Sequence, residues 1–140
     1  MKQGNKQLLL KDLCARLPYG VICHYDCTVP SVGKVTNYDR LNGIVPIQET
    51  IGFMVGVHNV NALFDNIKPY LRRKDTMTQE EQTVYRKLQY RMNISEPDYT
   101  PTYEYFDNIK SIDYLYSIHI DVHDLIPKGL ALEAPKGMYN

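Results

Sequence analysis

Two histidines and an aspartate stand close together near the end of the chain, at His119, Asp121 and His123. Histidines four residues apart can bind one metal ion from one face of a helix, and the aspartate could add an oxygen ligand from an extended backbone. The segment lacks the glutamate of the zinc-protease motif, and its spacing fixes no third ligand. Capping and surface roles are therefore the favoured interpretation, with a metal site as the alternative.

Three cysteines, Cys14, Cys23 and Cys27, offer a second chemistry. On a strand, Cys23 and Cys27 would share a face but lie ~13 Å apart, too far to ligate one tetrahedral metal together. A Cys–His nucleophile pair would need a histidine brought close by the fold. The favoured interpretation is that the cysteines act as small buried hydrophobic residues. Their odd number, with a polar N-terminus, predicts a reducing cytoplasm.

A basic run with one aromatic residue is the third candidate. It comprises Lys68, Tyr70, Arg72, Arg73 and Lys74. Such a run could bind a phosphate backbone and stack a base. In a chain with a formal net charge of +0, however, such a run is more often a solvated surface, which is the favoured interpretation.

Composition and missing motifs limit the function classes. The 140 residues are 44% hydrophobic and 23% charged, with 12 tyrosines but 3 phenylalanines and no tryptophan. No apolar run approaches the ~20 residues of a membrane span. The common hydrolase, P-loop and dinucleotide-binding motifs are missing, so the sequence predicts no cofactor and does not favour an enzyme.

The elements that must position these residues begin with a leucine-rich helix over residues 8–17, which Pro18 ends. Its apolar stripe is predicted to be Leu9, Leu10, Leu13 and Leu17. The residues predicted to face water are Lys11, Asp12 and Arg16. Short strands follow at 20–28, 34–38, 44–47 and 50–58, with a type I′ hairpin at Asn42-Gly43 and an edge strand marked by Pro46.

The second half of the chain alternates loops and helices. Residues 59–74 are predicted to be a connector whose Ile67, Tyr70 and Leu71 dock on the sheet. A capping box at Thr78–Glu81 begins a helix that ends near Asn93, and 95–102 is a loop. A third helix covers 107–117, turns fill 121–129, and 130–134 forms a short strand. We expect one α+β domain over residues 1–140: a small twisted antiparallel sheet, or a partly open barrel, packed by about three helices.

Three parts of the chain carry a resemblance to other proteins: residues 8–21, residues 126–140, and residues 67–72 followed by 77–81. These stretches are similar to an uncharacterised family of short proteins from Bacteroides-type gut bacteria, their phages and other mobile elements. Arg73 replaces the family's usual proline, and the family has arginine where His123 stands. The resemblance implies a bacterial setting and no known activity.

The sequence therefore predicts a non-catalytic accessory protein that binds another protein, most simply through a tyrosine-rich face. A nucleic-acid-binding module that uses the segment Lys68–Lys74 is the alternative, and a metal-dependent or Cys/His enzyme is the third hypothesis. No membrane association is expected, and the sequence does not predict an oligomeric state.

Overall fold

The computed structural model describes residues 1–29, 31–47, 50–56, 58–95, 100–105 and 109–139. Helices α1, α2 and α3 span Gln3–Arg16, Gln79–Gln89 and Ile109–Ser117. The first five strands are β1 (Ile22–Val29), β2 (Gly33–Arg40), β3 (Gly43–Ile47), β4 (Thr50–Val55) and β5 (His58–Leu63). The remaining strands are β6 (Ile67–Leu71), β7 (Tyr90–Ser95), β8 (Thr100–Tyr105) and β9 (Leu132–Glu133).

The strands form separate small sheets, which confirms the α+β class. A four-stranded sheet has the order β2-β1-β6-β9, a three-stranded sheet the order β3-β4-β5, and β7 pairs with β8. The pairings are antiparallel except that β9 runs parallel to β6. The expectation of one antiparallel sheet is therefore corrected to a mixed sheet beside two antiparallel ones, and the described strands do not close into a barrel. Strand β3 lies at an edge, as its Pro46 predicts.

Helix α1 buries a different stripe from the one predicted. Its buried residues are Lys6, Leu9, Asp12, Leu13 and Arg16. Leu9 and Leu13 enter the hydrophobic core as expected, but Asp12 and Arg16 are fully buried instead of facing water. The core joins α1 to both larger sheets, and the rings of Tyr25 and Phe53 meet edge to face across it at 4.9 Å.

The predicted connector 59–74 is wrong, because it contains most of β5 and all of β6. Strand β6 lies beside β1 and alternates between buried and half-buried residues, with Ile67, Pro69 and Leu71 inward. The Asn42-Gly43 hairpin is also wrong. The Leu41 N–H bonds to the Val21 carbonyl at 3.0 Å and the Asn42 N–H to the Met54 carbonyl at 2.9 Å, so the chain passes here from one sheet to the other.

The capping box that begins α2 is confirmed. The backbone N–H of Glu81 donates to Thr78 Oγ1 at 3.1 Å, and the backbone N–H of Thr78 donates to the Glu81 carboxylate at 2.9 Å. The helix ends at Gln89, before the predicted Asn93, and β8 begins at Thr100, within the predicted loop 95–102. Residues 96–99 of that loop, and the start of the predicted third helix at 107–108, lie outside the described residues.

Candidate functional site

His119 lies buried where α3 meets the C-terminal segment. Its ring stacks on the ring of Tyr139 at 3.6 Å and 12°, and its backbone has a φ of 65°. Its Nδ1 atom is buried without a hydrogen-bond partner among the described residues. Burial, with the nearby charges of Arg16, Arg40 and Arg72, lowers the pKa of His119 to about 4, so its imidazole is neutral near pH 7.

Asp121 and His123 have partners of their own. The Asp121 carboxylate accepts the backbone N–H groups of Leu125 at 2.8 Å and Ile126 at 3.0 Å, and so it caps the turn that follows. His123 Nε2 lies 2.7 Å from the Tyr116 hydroxyl, and burial lowers the pKa of His123. Within the described ranges, no three His, Cys, Asp or Glu side chains form a group that could hold a metal ion. The structure therefore does not support His119, Asp121 and His123 as one ligand set.

A buried ion pair lies beside these histidines. Its two residues were predicted to face water. Arg16 Nε donates to Asp12 Oδ1 at 2.6 Å, and the guanidinium also donates to the Ile120 carbonyl at 2.6 Å. Its carbon Cζ lies 4.9 Å from the centre of the Tyr116 ring. These contacts tie α1 to α3 and to the segment after it. The signal that could have revealed the pair is its i, i+4 spacing on the stripe that holds Leu9 and Leu13.

The thiol of Cys23 is not activated. Cys23 is fully buried in β1, and burial, together with the charge of Asp12, raises the pKa of its thiol. A buried thiol with a raised pKa stays protonated and is a poor nucleophile. Cys14 is exposed and Cys27 is half-buried, and within the described residues neither joins a disulfide.

Arg72 is held by its own neighbours, although it lies in the candidate basic segment. Its guanidinium donates two hydrogen bonds to the Glu81 carboxylate, at 2.8 and 2.9 Å, and others to the carbonyls of Ile118 and Thr76. The hydrogen bond with Arg72 is the main cause that lowers the pKa of Glu81 to about 2. Arg72 therefore joins β6 to α2 and α3, and this role occupies the donors that a phosphate would need.

The remaining residues of the basic segment have different surroundings. Arg73 pairs with Asp75 at 2.6 Å and Lys74 pairs with Asp124 at 3.1 Å, so nearby carboxylates offset both charges. Lys68 and Tyr70 lie earlier, on β6, and alternate with its inward residues. These two side chains therefore lie on the outer face of the four-stranded sheet.

A cleft of about 640 Å³ lies between Arg72, His119 and the C-terminal residues 133–139. The Tyr139 hydroxyl closes one side, since it donates to the Tyr70 carbonyl at 2.6 Å and accepts the Ile22 N–H at 2.9 Å. Glu81 offsets the Arg72 charge inside it. Among the described residues, no hydrogen bond joins the neutral His119 ring to a nucleophile or an acid.

The outer face of the three-stranded sheet carries no charged side chain among its described residues. The pairing of β3, β4 and β5 places every second residue of each strand on this face. We name it the uncharged sheet face; it consists of Gly43, Val45, Thr50, Gly52, Met54, Asn59, Asn61 and Leu63. Val45 is 61% exposed and Leu63 50% exposed, whereas Ile51 and Phe53 on the opposite face are buried in the core.

Comparison with known proteins gave no matching family model, no matching curated protein and no matching solved structure. The resemblance to proteins of gut bacteria therefore stays a prediction. None of the helices in the described part of the chain is long and apolar enough to cross a membrane.

Proposed function

We propose that this protein is a non-catalytic accessory protein that binds another protein through the uncharged sheet face. The observation that carries this proposal is a solvent-facing sheet surface whose described residues include no charged side chain, in a chain of which 23% is charged. The centres of protein interfaces are depleted in charge, and exposed apolar patches mark binding sites. The apolar side chains of this face are Val45, Met54 and Leu63, beside polar Asn59 and Asn61, in place of the tyrosine-rich face predicted from the sequence.

The shape of this face favours a flat partner surface. Gly52 lies at its centre, and a Cβ there would meet Asn61 Oδ1 at 2.9 Å, so a larger residue would displace the Asn61 side chain. Pro46 on the edge strand β3 lacks an N–H and weakens edge-to-edge pairing with another strand. Binding would therefore use side chains such as Val45, Met54 and Leu63 on the face, and not the backbone of the edge.

Several described groups that could do acid–base chemistry are engaged in the structure, which supports a non-catalytic role. Asp12 holds Arg16, Asp121 caps a turn, and His123 contacts Tyr116. We place the function in a bacterial cytoplasm, on the strength of the family resemblance and the odd cysteine count.

Affinity purification with matched variants tests the proposal. Val45→Lys and Leu63→Lys put a charge on the uncharged sheet face, while Val32→Lys puts one on a 72% exposed residue of the β1–β2 turn. We expect tagged wild type and Val32→Lys to retain the same partner from the native host, and both face variants to lose at least about tenfold of it, since burying an unpaired charge is costly. Equal recovery with all variants, at unchanged melting temperatures, would contradict the proposal.

A further inference from the structure

The outer face of the four-stranded sheet differs from the uncharged sheet face in both aromatic content and charge. The register of β1 with β2 and β6 places His24 between Tyr38 and Lys68. Because paired residues point to the same side, these three side chains lie on one face, with Tyr70 two residues beyond Lys68. We name it the aromatic sheet face, defined by His24, Lys34, Tyr38, Arg40, Lys68 and Tyr70.

Two tyrosine rings lie on this face, one exposed and one half-buried. Tyr38 is 65% exposed, and its ring meets the ring of Tyr70 edge to face at 6.4 Å and 84°. The rings belong to strands on either side of β1, so the pair spans the width of three strands. Exposed aromatic rings on an open sheet are surfaces on which unpaired bases stack.

The charge of this face is positive. Lys34, Arg40 and Lys68 have no carboxylate within ion-pair distance among the described residues, in contrast to Arg72, Arg73 and Lys74. The face also bears Asp26, whose carboxylate accepts a hydrogen bond from the Thr36 hydroxyl. Three cations against one carboxylate suit a polyanion, although the whole chain has a net charge of +0.

We propose that the aromatic sheet face binds single-stranded nucleic acid. Bases would stack on Tyr38 and Tyr70, and the lysines would contact the phosphates between them. A duplex keeps its bases paired and would leave the tyrosines unused, so single strands are the expected ligand. This activity is independent of the proposed protein partner, because it uses the other sheet.

Fluorescence anisotropy with a short fluorescein-labelled oligothymidylate tests this proposal. We expect binding to the full chain that weakens about tenfold in Tyr38→Ala and is kept in Tyr38→Phe, because stacking depends on the ring and not on the hydroxyl. Tyr38 is an exposed residue, so both variants are expected to fold, and circular dichroism checks this. Lys68→Gln should reduce the slope of log affinity against log salt by about 0.7 between about 50 and 200 mM salt.

Two controls separate this proposal from non-specific attraction and from the protein-binding proposal. Lys87→Gln removes the same charge from the exposed side of α2 and should leave the affinity unchanged, as should Val45→Lys on the uncharged sheet face. The proposal would be overturned by no binding at about 50 mM salt, by equal affinity for a duplex of the same length, or by equal losses in Lys68→Gln and Lys87→Gln. Binding that survives Tyr38→Ala would also overturn it.

Discussion

Glu81→Gln removes the charge that holds Arg72, and its effect on stability should depend on pH. Glu81 accepts two hydrogen bonds from the Arg72 guanidinium and one from the Thr78 backbone. Its side chain is 19% exposed and that of Arg72 is 24% exposed, so water screens the pair only in part. Glutamine keeps the size of the side chain and one oxygen acceptor, but it loses the charge and offers an NH2 group to the guanidinium.

The magnitude follows from the pKa of Glu81, which falls from 4.5 to about 2 in the folded protein. One pKa unit corresponds to about 1.4 kcal/mol, so the ionised carboxylate contributes at most about 3 kcal/mol to the free energy of unfolding. Because the folded-state pKa is the lower one, this contribution is present above the ordinary pKa. It is lost as the pH falls from about 4.5 to about 2.

Urea unfolding followed by circular dichroism, from neutral pH down to about pH 2, measures this effect in wild type and in Glu81→Gln. We expect the two free energies of unfolding to differ by about 2 to 3 kcal/mol above about pH 5 and to converge toward about pH 2. Glu80→Gln, on the exposed side of the same helical turn, serves as the control and should change little. A difference that stays constant with pH, or an equal effect of Glu80→Gln, would refute the role assigned to the Arg72–Glu81 pair.

Three further substitutions or modifications test the buried contacts. Asp12→Asn leaves Arg16 buried without its counter-charge, so it should lower the free energy of unfolding, measured in urea, by about 3 to 5 kcal/mol. A loss below about 1 kcal/mol would show that the ion pair does not stabilise the fold. Tyr139→Phe leaves a backbone N–H and a carbonyl without their partner and should cost about 1 to 3 kcal/mol by calorimetry, whereas an unchanged melting temperature would argue against this contact. Exposed Cys14 should react quickly with a thiol reagent in the folded protein, whereas buried Cys23 should react only on unfolding. Peptide mass spectrometry measures both rates, and equal rates would contradict the burial of Cys23 in β1.

Helices with local signals could be predicted from the sequence. The capping box at Thr78 and Glu81 involves residues three apart, and the structure shows both of its hydrogen bonds. The apolar spacing of the third helix likewise predicts α3, whose described part ends at Ser117 as expected. Local interactions suffice for such elements, so a single sequence contains the information.

Strand β6 was missed because its partners are distant in sequence. Its alternation of Ile67, Pro69 and Leu71 is the pattern of a strand, although the segment was predicted to be a connector. In the structure, Pro69 pairs with Cys23, next to the position where the Tyr139 hydroxyl forms hydrogen bonds with both β1 and β6. That bridge joins Tyr139 to Ile22, which lies 117 positions earlier, and to Tyr70, which lies 69 positions earlier. No local sequence pattern indicates such contacts.

The candidate sites show the same division between local and distant information. Residue type singled out His119, Asp121 and His123, but each has a separate partner in the fold. Asp12 and Arg16 look like a solvated helical pair in the sequence. They are buried because Arg16 reaches the carbonyl of Ile120, 104 residues away.

Site-specific photo-cross-linking from Val45 is the most direct test of the central claim that the uncharged sheet face binds a protein. A benzophenone amino acid would replace Val45 in cells of the native host, and the same replacement at Val32 would serve as the control on an exposed turn. We expect one discrete cross-linked partner from position 45 and none from position 32. Adding Leu63→Lys to the position 45 variant should abolish this cross-link. No cross-link from position 45, or the same products from both positions, would contradict it.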